Sequence, residues 1–155
     1  MDSIEMARYV RYLPIIKRLY MEKYELSSTQ VDILIFIHGT RTFRLRVLYD
    51  FAATMKWQPR LFADMKSRGF IKFHKDSCRK LGIIYQCSVK TDKIMKELFD
   101  LVLEQTKFSD DPAENPIHKR ENYTQKYHSS FMKRINLERE QRPAQVLYDT
   151  DDSEF

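Results

Sequence analysis

Glycine is scarce in this chain, with three in 155 residues, and no glycine-rich stretch of the kind that cradles a nucleotide's phosphates can be built from Gly39, Gly69 and Gly82. A nucleophile elbow is also missing, as is any pair of carboxylates at a suggestive spacing, so no enzyme is expected. Cysteine is nearly absent. Cys78 and Cys87 form no CxxC pair, and His38, His74, His118 and His128 do not gather around them, which argues against a zinc site, a disulfide scaffold or any other metal or cofactor. No apolar run approaches the ~20 residues that span a bilayer, and the first residues carry Asp2 and Glu5 instead of the apolar core of a signal peptide. A soluble, cytoplasmic protein with no membrane contact is the expectation.

What the chain has in excess is positive charge, unevenly placed. The formal net charge is +5, but between Arg41 and Lys90 there are 12 basic residues against 3 acidic ones. From position 106 onward the balance reverses, with 8 basic and 10 acidic. A basic block of that density is the signature of a surface facing a polyanion.

Periodicity divides the chain into elements. Val10, Leu13, Ile16, Leu19 and Tyr20 recur at helical spacing, and Pro14 suggests that the firm helix begins there, after a separate turn or kinked extension. Ser27 or Ser28 caps a second helix, apolar almost all round through Val31, Ile33, Leu34, Ile35 and Ile37, buried and ended by Gly39. Phe43 to Met55 forms a third, with Leu45, Val47, Leu48, Phe51, Ala52 and Met55 inward and Arg44, Arg46 and Asp50 outward. After a turn at Lys56, Trp57 and Gln58, a short helix runs from Pro59 to Arg68 and stops at Gly69. Two short helices around a tight turn suggest a helix-turn-helix.

Phe70 to Lys75 and Leu81 to Lys90 read as strands around the basic turn Asp76 to Lys80, a β-hairpin in the position of a wing. Thr91 is expected to cap a helix to about Gln105, whose apolar set, Ile94, Met95, Leu98, Phe99, Leu101, Val102 and Leu103, is wide enough to need a second partner. Residues 106 to 118, with Pro112 and Pro116, look like a linker. Tyr123, Tyr127, Phe131 and Ile135 then mark an exposed amphipathic interaction helix ending before Pro143, followed by an acidic tail, Tyr148 to Phe155. The fold class expected is mainly α with a β-hairpin wing (α+β). Its parts are an amino-terminal helical segment (1–25) suited to dimerisation, a winged helix-turn-helix (26–105), and an extension of linker, helix and tail (106–155).

The string from Leu26 to Leu103 resembles the MarR family of winged-helix transcription regulators. Its landmarks are LSSTQVDIL (Leu26 to Leu34) before the reading unit and LFADMKSRGFIKF (Leu61 to Phe73) from recognition helix into wing. DSCRK (Asp76 to Lys80) falls at the wing tip, and VKTDKIMKEL (Val89 to Leu98) on the return. One departure is the spacing of Arg79 and Thr91, twelve positions apart, which implies a longer hairpin than the family usually has. The resemblance implies a homodimeric regulator binding double-stranded DNA, its interface supplied by the first helix and the one from Thr91. Some such regulators carry a redox-sensing cysteine, a role Cys78 would fill, although no resolving partner is visible.

Turning Leu61, Phe62 and Met65 inward points Arg60, Ala63, Lys66 and Ser67 outward. Arg60 is the candidate for a base in the major groove, because its planar fork pairs with guanine, and Lys66 is the candidate for phosphate. On the wing, His74, Lys75, Arg79 and Lys80 flank the backbone or enter a narrow minor groove. Arg41 and Arg44 are placed for phosphates. Trp57 and Tyr85 read as packing residues. The competing expectation is a winged helix acting as a protein-interaction module in a larger assembly, a virion or a transcription complex, with partners ordering the carboxy-terminal extension.

Overall fold

Asp2 opens the first helix, α1 (Ser3–Lys23), through a capping box: its side chain accepts from the Glu5 amide, and the Glu5 carboxylate accepts from the Asp2 amide. The computed structural model describes residues 2–141, and the acidic tail and Pro143 lie outside them. Helix α1 runs through Pro14 without a break, contrary to the expected start there. Pro14 removes one amide, on an exposed flank beside Val10, and Tyr12, Ile15, Ile16, Leu19 and Tyr20 are all buried on the other side. Burial of five large side chains outweighs one missing bond.

The turn after α1 places Glu25 at a positive φ of 52° and lets the Leu26 amide bond back to the Met21 carbonyl. Ser27 then caps α2 (Ser28–Thr40), with Gln30 completing a second capping box. Val31, Ile33, Leu34 and Ile37 are almost fully buried, as the all-round apolar pattern predicts. Gly39 does not end this helix. It lies inside α2, and the chain leaves at Arg41, whose φ of 62° and ψ of −67° are those of a tight γ-turn. Thr42 and Phe43 form a short strand, β1, where the sequence suggested the start of a helix. Phe43 buries its ring against Tyr85 and Phe62, which an extended backbone permits.

The next helix is interrupted. Leu45–Asp50 (α3) and Ala52–Met55 (α4) are separated at Phe51, whose amide bonds to the Leu48 carbonyl three residues back. Lys56 takes a left-handed φ of 52° and Trp57 is buried in the turn, as expected of a packing residue. Helix α5 (Pro59–Ser67) starts on a proline at its first turn and stops where the sequence said it would. Gly69 has φ 82°, its amide bonds to the Lys66 carbonyl, and the Phe70 amide bonds to the Met65 carbonyl, the two bonds of a Schellman stop.

Strands β2 (Ile71–Phe73) and β3 (Tyr85–Cys87) are shorter than predicted, three residues each, and β3 sits between β1 and β2 in an antiparallel sheet. The hairpin beyond them is held by scattered bonds: His74 amide to Ile84 carbonyl, Cys78 amide to Gly82 carbonyl, and Ile84 amide to Ser77 Oγ. Val89 and Lys90 belong to the following helix, α6 (Val89–Val102), not to a strand. Ser88 is its cap, not Thr91. Thr91 is fully buried and donates its hydroxyl to the Phe70 carbonyl at 2.6 Å. The wide apolar surface of α6 packs on both α1 and α2 of the same chain.

Contacts divide the chain into two compact units, Met1–Leu103 and Glu104–Phe155. In the second, the stretch read as a linker is ordered against α7 (Tyr123–Gln141): Phe108, Asn115, Ile117 and His118 are buried. The Asn136 side chain pairs with Phe108 as a strand would, accepting from its amide at 2.9 Å and donating to its carbonyl at 2.8 Å. A 3-10 turn, Pro116–Lys119, leads into the helix, and the Asn122 side chain accepts from the Gln125 amide at its start. Of the stripe Tyr123, Tyr127, Phe131 and Ile135, only the last member, Ile135, is buried. Tyr123 and Tyr127 are exposed, and the packed face is Gln125, Ser129, Met132, Ile135 and Asn136. A polar residue that makes a specific buried bond carries no hydropathy signal, so this packed face was not visible in the sequence pattern.

Candidate nucleic-acid interface

Helix α5 orients its side chains as the 100° spacing requires. Phe62 and Met65 are buried, Leu61 is half-buried, and Arg60, Ala63, Lys66 and Ser67 are all exposed. Arg60 Nε donates to Gln58 Oε1 at 2.8 Å, and Ser67 Oγ to the Asp64 carbonyl at 2.9 Å.

What fixes the pose of this helix was not visible in the charge pattern. Gln30 Nε2 donates to Asp64 Oδ2 at 2.8 Å and to the Leu61 carbonyl at 3.4 Å. Arg68 Nη1 reaches the same carboxylate oxygen at 3.2 Å and the Glu25 carbonyl at 2.9 Å, while Nη2 donates to the Tyr24 carbonyl. The last turn of α5 is thereby fastened to the junction of α1 and α2, with a guanidinium on the negative end of α1. Gln30 holds the Asp64 carboxyl below the usual carboxylate range, with Arg68 adding to the effect.

Lys66 connects α5 to the hairpin, its ammonium 5.7 Å from the centre of the Phe73 ring. The next residues of the chain are His74, half-buried, and Lys75, exposed. His74 Nδ1 accepts from the Asp76 amide at 3.2 Å and lies 3.6 Å from its carboxylate. At the far tip Arg79 and Lys80 are exposed. Arg44 caps the start of α3 by position without a capping bond, and its Nη1 donates to the Leu81 carbonyl, holding the tip against the body. A Cβ at Gly82 would stand 2.8 Å from that nitrogen. Arg41 is exposed beyond the end of α2, next to β1, which is the opposite edge of the sheet from β2. Those edges are two strand spacings, about 10 Å, apart.

The basic block is thus only partly outward. Arg44, Arg68 and Lys90 each donate to a backbone carbonyl, of Leu81, of Tyr24 and Glu25, and of Arg68 respectively. Lys72, on β2, is an exposed cation that the alternation rule had not singled out. Of the cysteines, Cys78 is exposed and its sulfur accepts from the Leu81 amide at 3.4 Å. Cys87 is buried, and burial together with the Asp92 charge pushes its thiol up to about 12. No cluster of three metal-ligating side chains occurs among the described residues, and no described helix is long and apolar enough to cross a membrane.

Comparison with family models, with curated proteins and with solved structures gave no match to this chain.

Proposed function

We propose that the unit from Met1 to Leu103 is a winged helix-turn-helix that binds double-stranded DNA, with α5 in the major groove and the hairpin against the backbone or minor groove. The observation that carries this reading is the division of α5. Phe62 and Met65 anchor one side in the core, and Arg60, Ala63, Lys66 and Ser67 occupy the other in the open. Small side chains at 63 and 67 allow close approach to base edges, and the two flanking cations supply a base contact and a phosphate contact. The element order α2, β1, α3/α4, α5, β2, β3, with β3 central in the sheet, is consistent with the winged arrangement and with the likeness to the MarR regulators. A repressor or activator acting as a homodimer is the form this activity would take, with α1 and α6 at the interface.

An electrophoretic shift with wild type and Arg60→Ala tests it. Specific duplex binding that weakens roughly tenfold or more on the substitution supports the reading. Feeble binding indifferent to Arg60 favours an interaction module in a larger assembly instead. Ile4, Met6 and Val10 are exposed on α1, near a cleft of about 250 Å³ lined by Glu5, Tyr9, Phe99, Val102 and Leu103, an apolar surface that a second copy would cover in the first reading and another protein in the second.

A further inference from the structure

Three aromatic rings stand in register across the small sheet. Phe43 on β1 and Phe73 on β2 are both direct partners of Tyr85 on β3. The rings are stacked, Phe43 to Tyr85 at 5.8 Å and 29° and Tyr85 to Phe73 at 5.4 Å and 27°. The series passes from the core to solvent: Phe43 is 4% exposed, Tyr85 5% and Phe73 57%. The last ring therefore sits on a rigid base, on the edge strand, with much of its surface uncovered. Lys66 stands 5.7 Å from its centre, and Lys72 and Lys75 are exposed on either side of it in sequence.

We infer that Phe73 is a stacking platform for an unpaired nucleobase, with Lys66 and, just past the strand end, Lys75 holding the phosphates next to it. This rests on the duplex-binding reading and refines its substrate, to a duplex that carries an unpaired end or a locally opened strand. A flat ring held upright by a stacked neighbour is covered best by another flat ring, and stacking tolerates any base. Bases inside a duplex have both faces occupied, so the partner is an unpaired one. The cations select the same occupant. A second copy of the chain pairing along the β2 edge would bring two lysine-bearing strands together, and edge lysines of this kind are a device by which edge strands prevent such pairing. The Lys66 ammonium lies near the outer limit of a cation–π contact, so its transfer from ring to phosphate costs little.

The test uses the full chain and two DNA probes, a blunt duplex and the same duplex with a short single-stranded overhang containing 2-aminopurine. Wild type should bind the overhang probe more tightly and quench the 2-aminopurine. Phe73→Leu, which keeps an apolar side chain but loses the ring, should lose roughly tenfold or more on the overhang probe and nothing on the blunt one. Phe73→Tyr should restore both binding and quenching, which separates loss of stacking from misfolding. Equal affinity of wild type for the two probes, or an unchanged overhang affinity in Phe73→Leu, overturns the inference. If the blunt duplex still binds and still depends on Arg60, the duplex reading survives that result. Binding to neither probe sinks both.

Discussion

Gln30 and Asp64, 34 residues apart in the chain, meet side chain to side chain at 2.8 Å. Gln30 is 4% exposed, and through the same amide group it also completes the cap of α2, its Oε1 accepting from the Ser27 amide. One buried side chain thus starts the helix that forms the floor of the unit and sets the rotation of the helix proposed to read DNA. Gln30→Ala should lower the unfolding free energy by about 1 kcal/mol, because the side-chain bonds to Asp64 and to the Ser27 amide are lost while Ser27 still caps the helix and Arg68 still pairs with Asp64. Urea denaturation followed by circular dichroism measures it. A change under about half a kcal/mol would mean the contact does not hold α5. The Asp64 pKa is lowered in the folded state, so the stabilisation is present above the ordinary carboxylate value and is lost as pH falls through the folded one.

Thr91 illustrates a different local determinant. Its hydroxyl donates to the Phe70 carbonyl at 2.6 Å, and the Ser88 amide bonds to the same oxygen at 3.0 Å. The exit of α5, the entry to β2 and the start of α6 are pinned at one atom. Thr91→Val keeps the shape and removes one of the two donors, and should cost about 1 kcal/mol in the same denaturation measurement. Thr91→Ala should cost more, because it also opens a void in a fully buried site. A Thr91→Val cost near zero beside a clear Thr91→Ala cost would show that packing, not the hydrogen bond, is what Thr91 contributes.

How far the sequence revealed this arrangement varies with the kind of signal. The stop of α5 at Gly69 and its two faces were legible, because each rests on a local rule: a residue free to take positive φ, and a spacing of 100°. The burial of α2 followed from its apolar content. By contrast, α1 crossing Pro14 and the strand at Thr42 and Phe43 are decided by tertiary packing, which no local window contains. Thr91 looked like a cap since its residue type suits one, but the helix is capped at Ser88 and the Thr91 hydroxyl is spent on the Phe70 carbonyl. For the candidate interface, Lys66 and the hairpin cations were legible as charge. The roles of Arg44, Arg68 and Lys90 were not, because a cation resting on a carbonyl and a cation open to phosphate are the same letter in the sequence. In the second unit the buried polar residues Asn115, Ser129 and Asn136 hid the packed face behind an ordinary hydrophilic pattern.

The hairpin tip depends on a backbone position that few residues can take. Gly82 has φ 80°, and an added Cβ would meet Arg44 Nη1 at 2.8 Å, displacing the guanidinium from the Leu81 carbonyl. Gly82→Ala should destabilise the tip by about 1–2 kcal/mol from the left-handed backbone alone. The effect should be local. Hydrogen exchange at Cys78, whose amide bonds to the Gly82 carbonyl, should accelerate, while the amides of α2 keep their protection. Uniform loss of protection across both would contradict a local role.

If the proposed interface neutralises about six phosphates, duplex affinity should fall on the order of a thousandfold between roughly 50 and 200 mM salt. Lys66→Ala should reduce the slope of log affinity against log salt by about one unit, and do so equally on unrelated sequences. Arg60→Ala should instead act most strongly on the preferred sequence. Filter binding across a salt series separates the two. A flat salt response in wild type would contradict an electrostatic interface on this face.

The second unit carries its own pH dependence through His118. Its Nδ1 lies 2.7 Å from Ser129 Oγ in a buried setting. Burial holds its pKa below the ordinary histidine value, with Lys133 and Arg120 acting in the same direction, against Asp110 and the Ser109 backbone. The folded form therefore binds fewer protons than the unfolded one between the two pKa values. Stability is fully present above the ordinary value of about 6.5 and declines as pH falls through it toward the folded pKa. Proton NMR of the His118 ring should give a midpoint below about 6.5. Thermal melts of the full chain should lose more stability between neutral and mildly acid pH than those of His118→Gln, whose side chain keeps a polar group near Ser129 but cannot titrate. A ring that titrates above the ordinary value, or a variant with the same acid sensitivity as wild type, would rule out desolvation at this site as the cause.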